Sequence, residues 1–332
     1  MDEILPSEVE RAVHALALDA ATAAVIAGFD ARGIESVLIK GPATAHRLFS
    51  DDPDSRTYID VDVLVDTQRF REAEKALKAL GYVRSFPDAR GSESDSAYET
   101  QWERDGSPPT HIDLHRGFHG VGNWSSWWSV MDANTEVITV GGYPVRIPDA
   151  AGCALVVTLH DTTELRSEKS ASDLRQALAM FDDEVWADAA RRAESVHALP
   201  SFMLGLSRFD GGRQLAERLG LSSALTPEVA TRALSDTGAD PLQVGRAWAL
   251  HHRLGAVEGW QERGRTVLDM IFPSAEYLRA IQPLARRGRL GLAAVRIARP
   301  IALAARAPGV LWLLVKGRRR ARQSGWDGKS DR

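Results

Sequence analysis

Cysteine is almost absent from the 332 residues: Cys153 stands alone, so the chain can form no intramolecular disulfide and no Cys-rich zinc site. A secretory layout is missing too. The opening "MDEILPSEVE" is acidic, where a signal peptide would be basic and then apolar. A reducing, cytoplasmic setting is therefore the expectation. The sequence holds no dinucleotide-binding glycine fingerprint and no Ser-His-Asp or Cys-His arrangement with usable local signals, which sets aside hydride transfer and nucleophilic hydrolysis. Acid is missing from one long segment: Tyr277 to Trp326 carries twelve Lys or Arg and no Asp or Glu. The net charge is −4 and residues 327–332 balance to zero, so residues 1–276 carry −16. Long apolar runs are absent from that basic tail. Its longest uncharged stretch, Ala307–Val315, has nine residues, against about 20 needed to span a bilayer.

What is present reads as an ordinary globular protein, 44% hydrophobic and 26% charged, long enough for two domains or one elaborated domain. "SEVE" at Ser7–Glu10 has the form of a capping box and opens a helix to about Ala31. "ESVLI" is a short apolar strand halted at Lys40-Gly41, and Pro42 suits the first turn of the helix that follows. In "YIDVDVLV" the residues Ile59, Val61, Val63 and Val65 face one way, and Tyr58, Asp60, Asp62 and Leu64 the other. Phe70, Ala73, Leu77 and Leu80 form a helical stripe closed by Gly81. "AYETQWER" and "THIDLHR" pair about the turn "DGSPP", and "VITVGGYPVRIP" is a hairpin about Gly141-Gly142. After Pro148 the pattern turns helical. The expected division is a mixed α+β domain over 1–148, an all-helical domain over 149–282 that closes on substrate, and a basic apolar tail over 283–332.

The first domain holds the chemistry. Residues two apart on a strand lie roughly 6.6 Å apart on one face, so Asp60 and Asp62 point into one volume, and Asp113 can join them from a neighbouring strand. Two carboxylates about 5 Å apart repel by roughly 3 kcal/mol at an effective dielectric near 20. Such a cluster calls for a cation, and hard oxygen ligands select Mg²⁺, or Mn²⁺, over zinc. A strand, a glycine and a helix start at Gly41 make a phosphate cradle, with Lys40 or Arg56 to neutralise its charge. Metals beside a phosphate cradle imply attack on a nucleoside triphosphate.

At this point the sequence resembles a known family. "LIKGPATAHRLF", "DSRTYIDVDVLV" and "HIDLH" are similar to the signature stretches of the uncharacterised nucleotidyltransferase family, within the polymerase-beta-like superfamily. The resemblance extends more weakly into "LHDTTELRSEKSASDLRQAL" and "IFPSAEYLRA". It implies an α+β fold, a small mixed sheet with flanking helices followed by an all-helical domain. It implies a Mg²⁺-dependent transfer of a nucleoside monophosphate from an NTP donor to an acceptor, with release of pyrophosphate. The acceptor class stays open: a small molecule, sugar, peptide, protein or RNA. By the same resemblance Gly41 lines the phosphates, Asp60 and Asp62 bind metal, and Asp113 is the third carboxylate, a metal ligand that also takes or orients the acceptor's proton. The superfamily turn has Gly or Ser after its first glycine; here Pro42 follows, and Thr44 is the nearest hydroxyl. Lys169 and Asp173 acquire a nucleotide-facing role only through the resemblance. On spacing alone, four apart, they read as an exposed ion pair on a helix face. Two other functions remain beside this one: a catalytically degenerate binding or scaffold module, and a toxin-like enzyme acting on RNA, which the acidic body disfavours.

Other residues attract weaker readings. His111, His115 and His119 invite zinc, but no cysteine lies near, and His115 fits better as a hydrogen-bonding residue at the rim of the site. His160 reads as a packed or capping histidine, and Trp124, Trp127 and Trp128 as a packing or acceptor-pocket cluster. Pro300 and Pro308 are expected to interrupt a helix in the tail. Residues 286–322 of that tail suit docking on the chain's own acidic body, peripheral contact with an anionic membrane, or nucleic acid.

Overall fold

The computed structural model describes residues 8–51, 56–85, 98–161, 167–221 and 260–323. Ser7 of the expected capping box and the last residues of the tail lie outside the described residues. The chain divides into two compact units, the first made of 1–86, 98–119 and 123–196, the second of 87–97, 120–122 and 197–332.

In the first unit, helix α1 (Glu8–Asp30) precedes strand β1 (Ser36–Leu38), helix α2 (Pro42–Leu48), strand β2 (Val61–Val65) and helix α3 (Phe70–Ala79). Strands β3 (Val83–Arg84), β4 (Glu99–Arg104) and β5 (Thr110–His115) complete a mixed sheet of order β1-β2-β5-β4-β3. β2 runs antiparallel to β1 and parallel to β5. Each of the five β2 residues is buried, so the alternation seen in "YIDVDVLV" divides two covered faces rather than core from water. On one face Val61, Val63, Val65, Ile112 and Leu114 meet Leu18, Val25, Ile26 and Phe29 of α1 and Phe70, Ala73 and Leu77 of α3. Full burial of each large aliphatic contributes about 1.5–3 kcal/mol. Helix α1 is long and apolar enough to cross a membrane by length and composition, and one face of it, with Leu18, Val25, Ile26 and Phe29, packs into this core. Asp62, Asp113 and His115 occupy the other face of the sheet.

Helix α4 (Trp124–Ala133) and the hairpin β6 (Thr135–Val140) and β7 (Tyr143–Pro148) follow, with Val140, Val145 and Ile147 joining the same core. Past Pro148 come the helices α5 (Ala150–Asp161), α6 (Glu168–Met180) and α7 (Asp183–Ser195). The packing does not break there: these helices belong to the sheet's unit, with α5 packed on β7 and α6 on α2. The reason is burial. From Ala151 to Leu159 α5 is buried all round, too apolar to serve as the outer wall of a separate domain.

The second unit contains α8 (Leu199–Leu206), α9 (Asp210–Arg218), α10 (Trp260–Ile271), α11 (Ala275–Ile281), a 3-10 turn (Pro283–Arg286) and α12 (Arg289–Gln323). Pro300 and Pro308 lie inside α12 instead of ending it. A proline removes one hydrogen bond and crowds the preceding turn, at about 3 kcal/mol. Here the alanine-, leucine- and arginine-rich flanks are strong helix formers and carry the helix through.

Candidate active site

The parallel register of β2 and β5 sets Asp62 directly opposite Asp113, with Leu64 opposite His115. Asp62 is 1% exposed, and two donors converge on its Oδ1. Lys40 donates from Nζ at 2.7 Å, and His115 donates from Nε2 at 2.9 Å. Lys40 lies just past β1, whose chain stays bound to β2 through the Ile39 amide donating to the Asp62 carbonyl at 3.0 Å. The Lys40 ammonium also lies 5.8 Å from the centre of the Phe118 ring. Burial alone would raise the Asp62 carboxyl; Lys40 and His115 outweigh it and hold that carboxyl well below the usual range. Reciprocally, burial would lower Lys40, and the Asp62 charge holds its ammonium above the ordinary lysine value.

Asp113 behaves in the opposite way. Burial first, then the charges of Asp62, Glu99 and Asp60, push its carboxyl up to about 7, with His115 opposing. A carboxyl there changes charge near neutral pH. His115 was expected at the rim and is instead buried at 1%. Alternation alone would leave it half-buried like His111 and Asp113 on the same face of β5; packing against the Phe118 ring, centroids 5.8 Å apart, and the bond to Asp62 bury it further. Burial disfavours its charged form, but Asp62 and Glu99 more than compensate and raise its pKa. Its Nδ1 is buried without a hydrogen bond, 3.5 Å from Glu99 Oε2.

Asp60 stands one residue ahead of β2, in a bend, and is half-buried. It lies outside the cluster of Asp62, Asp113 and His115, whose ligating atoms fall within 4.8 Å of one another. Burial and Asp62 raise its carboxyl against the pull of Lys40, Lys169 and His115. Gly41, at φ 58°, approaches the same bend, and a Cβ there would sit 3.1 Å from the Asp60 carbonyl oxygen. Only glycine takes this turn without strain. Thr44 is 2% exposed within α2, so its hydroxyl does not line the turn's surface.

Arg56 and Asp173 meet each other. Arg56 donates from Nε and Nη2 to the two Asp173 oxygens at 2.6 and 2.7 Å, and from Nη1 to the Thr57 carbonyl at 2.8 Å. Both residues are buried, at 6% and 3% exposure. The exposed Lys169–Asp173 pair suggested by helical spacing is replaced by this longer-range bidentate pair, because Asp173 faces inward on α6. Lys169, on the exposed side of α6, feels Asp60, Asp173 and Asp62, though desolvation and Arg56 pull its ammonium below its usual value. Trp127 and Trp128 are buried at 0% and 8%. Trp127 stacks on Phe118 at 5.5 Å, and the Arg116 guanidinium lies 4.6 Å over Phe70 and 5.4 Å over Trp124. This is a packing cluster.

Sequence reasoning missed one neighbour of the site, Glu99, and read a second, His160, as a packed or capping histidine. Glu99 faces His115 across the β4–β5 ladder. His160 accepts or donates at Ser170 Oγ, 3.1 Å from its Nδ1, and burial, then Lys40, push its pKa down to about 3.

The profile of the uncharacterised nucleotidyltransferases matches residues 2–209, which include each of the residues described in this site. The chain belongs to this family. It is thus an enzyme of the nucleotidyltransferase class, and the family implies a nucleotide substrate. Two solved structures are similar at 16% identity. The antibiotic-resistance factor ANT(2'')-Ia, studied in solution, has a TM-score of 0.38 over 55% of this chain and 94% of its own. An antigenic nucleotidyltransferase-like protein from Paracoccidioides brasiliensis has a TM-score of 0.35 over 56% of this chain and 92% of its own. Among proteins of curated function, none matches this chain.

Proposed function

We propose that this family member transfers a nucleoside monophosphate from an NTP to an acceptor, with Mg²⁺ (or Mn²⁺) as cofactor, and releases pyrophosphate. The observation that carries this reading is the Asp62–Asp113 pair in parallel register, one carboxyl held low and the other raised to about 7. The donor set fits a divalent metal. Asp62 and Asp113 offer oxygens within one small volume, and the acidity gathered there needs a cation. Asp62 and Asp113 would hold the metal, with Asp60 at the mouth. When bound, Mg²⁺ neutralises the phosphate oxygens and favours loss of pyrophosphate.

The chain's own residues supply the remaining steps. Lys40 holds Asp62 in the free enzyme and turns its ammonium to phosphate when that bond opens. Lys169 adds a second cation from α6, and Gly41 lets the backbone approach the triphosphate closely. Thr44 supports α2 from within. Arg56 and Asp173, engaged with each other, fix α6 and Lys169 beside the nucleotide. His115 orients Asp62 from beneath. Asp113, ionised where it would hold the metal, takes or orients the proton of the acceptor hydroxyl. The acceptor oxygen attacks the α-phosphorus, the bond to the bridging oxygen breaks, and its electrons leave with pyrophosphate. Positioning and charge neutralisation carry the rate, as in other phosphoryl transfers. A cytoplasmic setting, rich in NTPs and Mg²⁺, suits this chemistry.

A second reading, a binding module without turnover, draws on the Lys40–Asp62 bond, which satisfies the carboxylate without a metal. The two separate in one experiment: titration of ATP, GTP, CTP and UTP with Mg²⁺ into the protein and into an Asp60→Asn/Asp62→Asn variant. Metal-dependent binding of one nucleotide, lost in the variant, supports transfer and names the donor. No nucleotide binding by folded wild-type protein would hand the site to the second reading.

A further inference from the structure

Helix α12 has two apolar rows, one buried and one exposed. Leu292 and Val295 turn inward, each 9% exposed, and form a small core with Leu278 and Ala285. Gly291 sits against the Leu284 carbonyl so closely that any Cβ would collide with it, which brings the start of the helix tight onto the 3-10 turn. The second row is Leu290, Ile297, Ile301 and Trp312, exposed at 87, 67, 66 and 57%. At about 3.6 residues per turn these positions fall on one strip of the helix. Pro308, also exposed, lies on it. Around this strip the charge is of one sign: residues 286–322 hold eleven Lys or Arg and no acid. Arg286, Arg287, Arg289 and Arg296 are exposed.

We propose that α12 lies along an anionic lipid surface, its apolar strip at the acyl boundary and its arginines on the headgroups. The two features select this occupant together. A nucleic acid would engage the arginines and leave the apolar strip in water. The acidic residues 1–276 would do the same. An apolar protein groove would use the strip but gains nothing from so much positive charge. An anionic bilayer matches both at once. The helix rests on the surface and does not cross it, because its longest uncharged run is the nine residues of Ala307–Val315. This surface is independent of the reaction proposed above.

The test is co-sedimentation of the full chain with vesicles of phosphatidylcholine alone, or of phosphatidylcholine and phosphatidylglycerol in equal parts. Binding is expected only to the anionic vesicles, and it weakens with added salt. Ile297→Asn/Ile301→Asn and Arg289→Gln/Arg296→Gln are each expected to weaken it by roughly tenfold or more. These positions are exposed, so unchanged thermal unfolding serves as the control for fold. Loss of binding in the arginine variant alone, with equal affinity for a short RNA duplex, would overturn the proposal in favour of a polyanion site. Absence of binding to either vesicle would overturn it outright.

Discussion

The sheet site and helix α12 place charge under opposite conditions. Asp62 is buried with Lys40 and His115 against it, and Asp173 is buried with both oxygens on Arg56. In α12, by contrast, Arg289 and Arg296 stand in water among other cations with no acid between Tyr277 and Trp326. Charge in the first region is bound up with the fold, because removing one partner strands the other in a medium of low dielectric. Charge in the second is nearly free of the fold and sets what the surface attracts. The contrast teaches that the same residue types are tied to the fold in one unit and left in water in the other, and burial decides which.

The most severe way to break this contrast is Asp62→Asn. It removes the charge that Lys40 and His115 share, so transfer is expected to fall by about a thousandfold or more. Stability should drop as well, by about 3–5 kcal/mol, from the Lys40 ammonium and the buried His115 imidazole left without their carboxylate. Chemical unfolding beside a pyrophosphate-release assay reads both effects. Wild-type turnover in the variant would remove Asp62 from the reaction. Next comes Arg56→Ala, expected to cost about 3–5 kcal/mol because Asp173 would stay buried and charged. Arg56→Met/Asp173→Leu should recover most of that loss in the same measurement. If the single variant costs under about 1 kcal/mol, the pair behaves as an exposed one and the contrast between the regions fails.

These two sites also show what could be read from the chain before its fold. The hairpin about "DGSPP" pairs Arg104 with Thr110, and counting outward from that pair sets Glu99 against His115. That neighbour of the site was legible and was overlooked. The parallel pairing of β2 with β5 is different: no turn joins them, so nothing local fixes the register that puts Asp62 opposite Asp113. Alternation placed Asp60 and Asp62 on one face, but it could not show that β2 starts at Val61 and leaves Asp60 in the bend before it. Arg56 and Asp173 are 117 positions apart. The spacing rule that ties Lys169 to Asp173 sees only one helix, and the inward face of α6 overrode it. The core of α1, α3 and the strands was readable because its periods of 3.6 and 2 are properties of single elements. Pro300 and Pro308 misled because the cost of a proline is local, while the helix formers around them act together.

A gentler probe of the buried region is pH. The Asp113 carboxyl is raised to about 7, so the fold favours its neutral form. That contribution is fully present below the ordinary carboxylate pKa and is lost as pH rises through the raised value. In metal-free protein, the melting temperature of wild type relative to Asp113→Asn should therefore fall between about pH 4 and pH 7 and then level. Coordination needs the carboxylate, so metal affinity should rise with pH toward about 7 in wild type, and more steeply than in the variant. Parallel melting curves for the two proteins would show that Asp113 does not titrate there.

The smallest effect belongs to α12, and it closes the comparison from the other side. Arg289→Gln/Arg296→Gln removes two cations from a helix whose described core is Leu292 and Val295 against Leu278 and Ala285. Neither arginine is buried, so the change in unfolding free energy should stay within about 0.5 kcal/mol. Added salt should alter stability equally little, since screening acts on charges that already stand in water. A loss above about 2 kcal/mol would mean that these arginines support the fold through partners of their own. The division between structural charge in the sheet and recognition charge in the helix would then not hold, and the vesicle experiment would have to be read as a loss of folded helix rather than of a lipid-facing surface.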